Sequence, residues 1–249
     1  MKDFDSVDTQ PWKEIKSQIK SVTFGSGVTT VGKNAFNGYS SITSISFDTT
    51  VKTINENAFK GCTGITKIVF GAPDEYKQHL QYLDSTSHTD THWYTIEYSF
   101  EPISWGHLSI GPTSFSLCTN LVSMTLPFGV SKIDYAAFSG DKKLTTISIP
   151  NSATYLGQYA FSGCTLINNV SIGNGITSIG DHAFYGCTGL TTMSIENAER
   201  DITFGANALP AGCSVTYNPT KIYANIAKYA EDTSKGTIEA RLTALESRT

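Results

Sequence analysis

Short runs with apolar residues at their first, fourth and sixth positions punctuate the chain: IKSVTF (19–24), ITSISF (42–47), ITKIVF (65–70), LVSMTL (121–126), LTTISI (144–149), INNVSI (167–172) and LTTMSI (190–195). In every run but ITKIVF, where Val69 stands between, the last two apolar positions flank a polar one, as in Ile147, Ser148 and Ile149. A period of two predicts a strand that sends the apolar pair inward and Ser148 outward. The first three runs start 23 residues apart, and so do the last four. After each run comes a turn rich in Gly, Asn, Pro or Thr, then a second apolar pair three apart: Val28/Val31, Val51/Ile54, Val130/Ile133 and Ile176/Ile179. An Ala-Phe step follows, at Phe36, Phe59, Phe138, Phe161 and Phe184. Ala permits close backbone approach, and Phe supplies bulk for the interior. A Gly two residues later (Gly38, Gly61, Gly140, Gly163, Gly186) predicts a turn with positive φ.

Self-similarity at such a period is the mark of a repeat architecture. One coil cannot bury its apolar side alone, so coils stack and their strands join a parallel sheet. The expected fold is a repeat solenoid of ~23-residue coils with a parallel β-sheet face. Stacking at the ~4.8 Å strand spacing predicts an elongated, curved body. The stretches GVTTVGKNAFNG…SITSISF and NGITSIGDHAFYGCTGLTTMSI closely resemble the BspA-type (Treponema pallidum-type) leucine-rich repeat. The resemblance covers roughly residues 11–72 and 105–217. It implies a right-handed leucine-rich-repeat coil, with Trp12 covering the first coil, and further sequence ahead of Met1 in relatives. It also implies a bacterial cell-surface or secreted protein that adheres to host matrix proteins or to other bacteria.

The array departs from its period twice. Phe59 and Phe115 stand 56 residues apart, leaving an insertion over about 71–107. It holds four of the five histidines together with Tyr76, Tyr82, Trp93, Tyr94, Tyr98 and Trp105. Insertions in repeat proteins map to loops on one face, often the binding face; the alternative is an elaborated repeat whose rings pack on themselves. The HTDTH stretch (88–92) puts two histidines four apart, but its Thr-rich surroundings favour extended chain and no metal site is expected. The second departure is at the C-terminal end. NPTKIYANIAKYAED predicts a capping helix, with Asn218 as N-cap, Pro219 after it, and Ile222, Ile226 and Tyr229 on one face. TIEARLTALESRT then predicts a short amphipathic tail. The expected organisation is a solenoid over 1–217 with an N-terminal cap over about 1–18, and a helical cap and tail over 218–249.

The net charge of −4 provides no electrostatic footprint for nucleic acid or an anionic membrane. Charged residues are 16% of the chain, below the usual ~25%, and Ser and Thr take their place. No apolar run approaches the ~20 residues of a membrane span, and the first residues lack a signal-peptide core. Five cysteines without short paired spacing argue against a disulfide framework. Four of them (Cys62, Cys118, Cys164, Cys187) share one slot, three residues after the Phe, where Tyr39 and Asp141 stand in other copies. A slot so tolerant predicts a structural ladder of buried or half-buried free thiols. His182 shares its slot with Asn34, Asn57, Ala136, Tyr159 and Asn207, which predicts surface filler.

No nucleophile elbow, P-loop or dinucleotide fingerprint is present, so no enzyme and no cofactor are expected. The outward strand positions Thr23, Ser46, Val69, Thr125, Ser148, Ser171, Ser194 and Thr216 form a polar row suited to a large partner rather than a small ligand. Candidate partner-binding residues are therefore Ser148, Ser171 and Ser194 on the strands and Trp93, Tyr94, Tyr98 and Trp105 in the insertion. The expected partner is a host extracellular or cell-surface protein, or a bacterial surface macromolecule, met by a monomer. Two alternatives remain: a glycan-binding module in which the insertion's rings stack on sugars, and a structural spacer or fibre piece, phage-derived, assembled by its tail.

Overall fold

The computed structural model describes residues 1–6, 8–71, 107–196 and 202–217. Every paired strand among them runs parallel to its neighbours, and the only helix there is a single 3-10 turn, Lys13–Ile15. Strands are numbered in chain order, and two rows of them line the solenoid.

The four-residue strands form the first row. β1 (Ser21–Phe24), β3 (Ser44–Phe47) and β5 (Lys67–Phe70) make one sheet. β8 (Thr146–Ile149), β10 (Asn169–Ile172), β12 (Thr192–Ile195) and β14 (Ser214–Tyr217) make another. The run 121–126, which the pattern predicts as a strand between them, is not one. Only the Val122 carbonyl there holds a neighbouring coil's backbone, accepting from the Thr145 N–H at 3.0 Å. Ser123–Leu126 make no backbone ladder bonds among the described residues, so the row is divided at the coil that follows the insertion. Leu121 and Leu126 still face the interior, so the apolar period holds there while the strand does not form.

The second row is a continuous seven-stranded sheet built from the second apolar pair of each coil. It comprises β2 (Thr30–Val31), β4 (Thr53–Ile54), β6 (Leu108–Ile110), β7 (Val130–Ile133), β9 (Tyr155–Leu156), β11 (Ser178–Ile179) and β13 (Thr203–Phe204). Because β6 pairs with both β4 and β7, this sheet runs unbroken past the insertion. Val31, Ile54, Ile133, Leu156 and Ile179 point inward from it and are fully buried.

Between the rows runs a stack of rings. Trp12 lies flat on Phe36 at 5.2 Å, and the series continues through Phe59, Phe115, Phe138, Phe161 and Phe184 at 5.2–5.5 Å, with interplanar angles of 16° or less. Phe59 and Phe115 stack at 5.3 Å although the insertion separates them, so the coils keep register across it. Each such pair adds roughly 0.5–1.5 kcal/mol to the burial of its rings. At the first coil, Trp12 Nε1 donates to the Ala35 carbonyl at 3.0 Å, and Gln10 bridges the Tyr39 hydroxyl and the Asn34 carbonyl.

Two backbone positions per coil are left-handed. The predicted glycines Gly38, Gly61, Gly140, Gly163 and Gly186 have φ of 69–79°. Leu117 occupies the same slot with φ 63°, a conformation that disfavours a branched side chain. The capping helix and tail expected over 218–249 lie outside the described residues and gain no support here.

Candidate partner-binding surface

The outward side of β8, β10, β12 and β14 brings together the three serines singled out from sequence. Ser148, Ser171, Ser194 and Thr216 are direct register partners, one per coil. Beside them runs a second row, Thr146, Asn169, Thr192 and Ser214. Inward-facing Ile147, Val170 and Met193 anchor these strands and are essentially without exposure, so the hydroxyls are held by a packed core. On the other sheet, Ser46 Oγ donates to Thr23 Oγ1 at 3.1 Å, and Val69 completes the row. Among the described residues of the two outward rows only Lys67 is charged.

The polar face is also tied down coil by coil. Thr43, Thr66 and Thr145 each donate their hydroxyl to the carbonyl of the same slot one coil earlier, at 3.0–3.3 Å. Ser148, Ser171 and Ser194 stand at the strand centres on the outward side, beside this tied row. The order is therefore imposed by the backbone, not by the serines themselves.

The interior slot three residues after each Phe holds Tyr39, Cys62, Cys118, Asp141, Cys164 and Cys187, all fully buried. The cysteines are free. Cys62, Cys164 and Cys187 each donate Sγ–H to the Phe carbonyl of the preceding coil (Phe36, Phe138, Phe161) at 3.0–3.1 Å. Burial pushes the Cys62 thiol up to about 12 and raises Cys118 well above the usual thiol range. A raised pKa removes the thiolate that metal binding or nucleophilic attack would need. Asp141 Oδ1 accepts the Cys118 N–H at 2.8 Å, while Oδ2 is buried without a partner. Burial drives that carboxyl well above the carboxylate range. The slot is structural, as its mixed residue content implied. No group of three metal-ligating side chains occurs among the described residues.

Trp93, Tyr94, Tyr98, Trp105 and the HTDTH stretch lie outside the described residues. His182 sits half-buried at the surface and packs against a neighbour. Its backbone is left-handed (φ 57°), its ring stacks on Tyr159 at 4.9 Å, and its Nδ1 is covered. The slot is variable in residue type but fixed in conformation, with φ between 49° and 58° from Asn34 to Asn207. Period alone could have shown this contact, because Tyr159 and His182 are 23 residues apart and so face each other across adjacent coils.

Among curated proteins no sequence matches this chain. Solved structures with the same fold include a leucine-rich cell surface protein from Faecalibacterium prausnitzii, with TM-score 0.58 and 24% identity over 80% of this chain and 48% of that one. The Treponema pallidum leucine-rich repeat protein has TM-score 0.56 and 22% identity, over 88% of this chain and 86% of its own. A leucine-rich repeat protein from Bacteroides ovatus has TM-score 0.50 and 22% identity, covering 78% of this chain and 47% of that one. The chain thus spans about half the length of the first and third of these. The family description that matches the sequence itself is the BspA-type leucine-rich repeat region, in six copies over residues 12–103 and 99–210. With the coil period, the two strand rows and the Phe stack in agreement, the chain belongs to the BspA-type leucine-rich repeat family.

Proposed function

We propose that this chain is a non-catalytic binding module of a bacterial cell-surface or secreted protein, and that it engages a macromolecular partner through the outward face of β8, β10, β12 and β14. The observation that carries this reading is the in-register row Ser148, Ser171, Ser194 and Thr216 beside a second uncharged polar row. An extended polar face suits a protein partner that makes many moderate hydrogen bonds, each worth about 0.5–1.5 kcal/mol net. The cell-surface description of the Faecalibacterium structure supports the same location for this chain. Burial of Cys62, Cys118, Cys164 and Cys187 fits a scaffold whose interior slot offers no thiol chemistry.

The test is capture of the intact chain on immobilised fibrinogen, fibronectin and other matrix proteins, and on whole bacterial cells. The comparison is a Ser148→Glu/Ser171→Glu/Ser194→Glu variant, whose substitutions face solvent and leave the core untouched. Saturable capture that disappears in the variant supports the reading. Capture that persists undiminished moves the site off this face.

A further inference from the structure

A row of rings stands outside the core, at the corner where each coil turns into its Phe. Tyr135 meets Tyr159 edge-on at 5.9 Å and 75°, Tyr159 stacks on His182 at 4.9 Å and 15°, and His182 meets Tyr185 at 5.3 Å and 68°. The two end rings are open, Tyr135 being 46% and Tyr185 56% exposed. From these residues we infer a carbohydrate-binding site: the row Tyr135–Tyr159–His182–Tyr185 takes an extended, neutral polysaccharide chain. The inference concerns a different face from the strand rows and does not rest on their role.

The first argument is that the solenoid does not need these rings. Tyr159 and His182 stand in a left-handed slot, with φ 58° and 57°. That conformation suits Asn and also His, and is costly for the bulky ring of Tyr159. Other coils fill the slot with Asn34, Asn57 and Asn207, and the Phe stack already supplies the core. A tyrosine held at a position that disfavours it, stacked on His182 and continued at both ends by half-open tyrosines, calls for a role outside folding.

The second argument is the chemistry around the rings. Gln158 Nε2 reaches Asp181 Oδ2 at 3.4 Å, and Asn207 Nδ2 lies 3.4 Å from His182 Nε2. Asp181 Oδ1 is held by the Ala206 N–H at 2.7 Å, which fixes the carboxylate beside the row. Near Tyr135, Lys132 and Asp134 neutralise each other at 2.7 Å. Planar amides and one oriented carboxylate thus border open aromatic surface that carries no concentrated charge. A pyranose has the complementary surface, with a C–H face for the ring and equatorial hydroxyls for amides and carboxylates. The rings come from three successive coils, so the row runs along the stacking direction and matches a chain of sugars rather than one.

The test is native affinity electrophoresis of the chain in gels containing soluble mannan, galactomannan, xyloglucan or laminarin, followed by calorimetry with the polysaccharide that retards it most. Tyr135→Ala/Tyr185→Ala removes only exposed rings, and Tyr159→Asn installs the residue that Asn57 represents in its own coil. The expected result is retardation by at least one polysaccharide. Affinity should fall by about tenfold or more in each variant, with the urea midpoint kept in Tyr135→Ala/Tyr185→Ala and kept or raised in Tyr159→Asn, and affinity should be retained in Ser171→Glu on the strand face. Three outcomes each overturn the inference: no retardation by any member of the panel, retardation equal in the ring variants, or ring-dependent capture of a matrix protein without retardation by glycan. Retardation lost in Ser171→Glu but kept in the ring variants would place sugar binding on the strand face instead.

Discussion

Replacing Asp141 with the cysteine that its slot carries elsewhere should stabilise the protein, and the gain should depend on pH. Asp141 is fully buried, and one of its two oxygens has no hydrogen-bond partner. Leaving such an acceptor unsatisfied costs about 1–3 kcal/mol. The substitution removes the Oδ1 bond from the Cys118 N–H, but that N–H also reaches the Phe115 carbonyl at 3.2 Å and stays satisfied. The new Sγ–H would have the same Phe115 carbonyl in reach, as Cys164 has Phe138 at 3.1 Å. Asp141→Cys should therefore gain about 1–3 kcal/mol at neutral pH, or about 2–12 °C in melting temperature for a chain of this size.

Burial raises the folded-state pKa of Asp141 above its value in the unfolded chain. A carboxyl of this kind is tolerated while protonated, and it destabilises as pH rises through the interval between the two values. Wild type and variant should thus approach each other near pH 4. Their difference should widen with pH by at most ~1.4 kcal/mol per unit and then level off. Urea unfolding of both proteins at pH 4, 5, 6, 7 and 8 measures this. A difference constant across that range, or a less stable variant at pH 7.5, would refute the argument from burial.

Three further outcomes follow from the geometry. In the native protein at pH 8 a thiol reagent should modify Cys213, which is partly exposed, while the four buried cysteines react only after unfolding; mass spectrometry of labelled peptides checks this. Phe138→Ala removes a buried ring stacked on both Phe115 and Phe161, and should cost about 3–5 kcal/mol by urea denaturation. Leu117→Gly relieves left-handed strain of about 1–2 kcal/mol at a side chain that is 44% exposed. Part of that gain is lost to the freer unfolded chain, so the urea midpoint should rise slightly.

The period made most of the fold legible. The spacing of Phe138, Phe161 and Phe184 already places one ring per coil in a common stack, and the L-x-x-L-x-L runs place Ile147 inward and Ser148 outward. The glycines after each Phe announce their positive φ because the chain must reverse there. What could not be read is what depends on a neighbouring coil. The run 121–126 has the same apolar pattern as its relatives, yet it lacks the ladder bonds of a strand. The second sheet was only half visible, since strands as short as Ser178–Ile179 give no alternation to detect. The corner rings were hidden for another reason: a slot occupied by Asn, Ala, Tyr and His looks unconstrained in composition, although its backbone conformation is the same in every coil.

The strand face as the point of contact is the central claim, and one paired measurement tests it most directly. The dissociation constant for whichever matrix or surface partner the chain captures would be determined for wild type, for Ser171→Glu on the outward strand row, and for Ser139→Glu. Ser139 lies next to Phe138 on another side of the same solenoid, with its hydroxyl on the Ser162 carbonyl at 3.2 Å. The account predicts binding weakened by about tenfold or more in Ser171→Glu, from an unpaired charge set into the contact, and unchanged in Ser139→Glu. Equal affinity for all three proteins would contradict it.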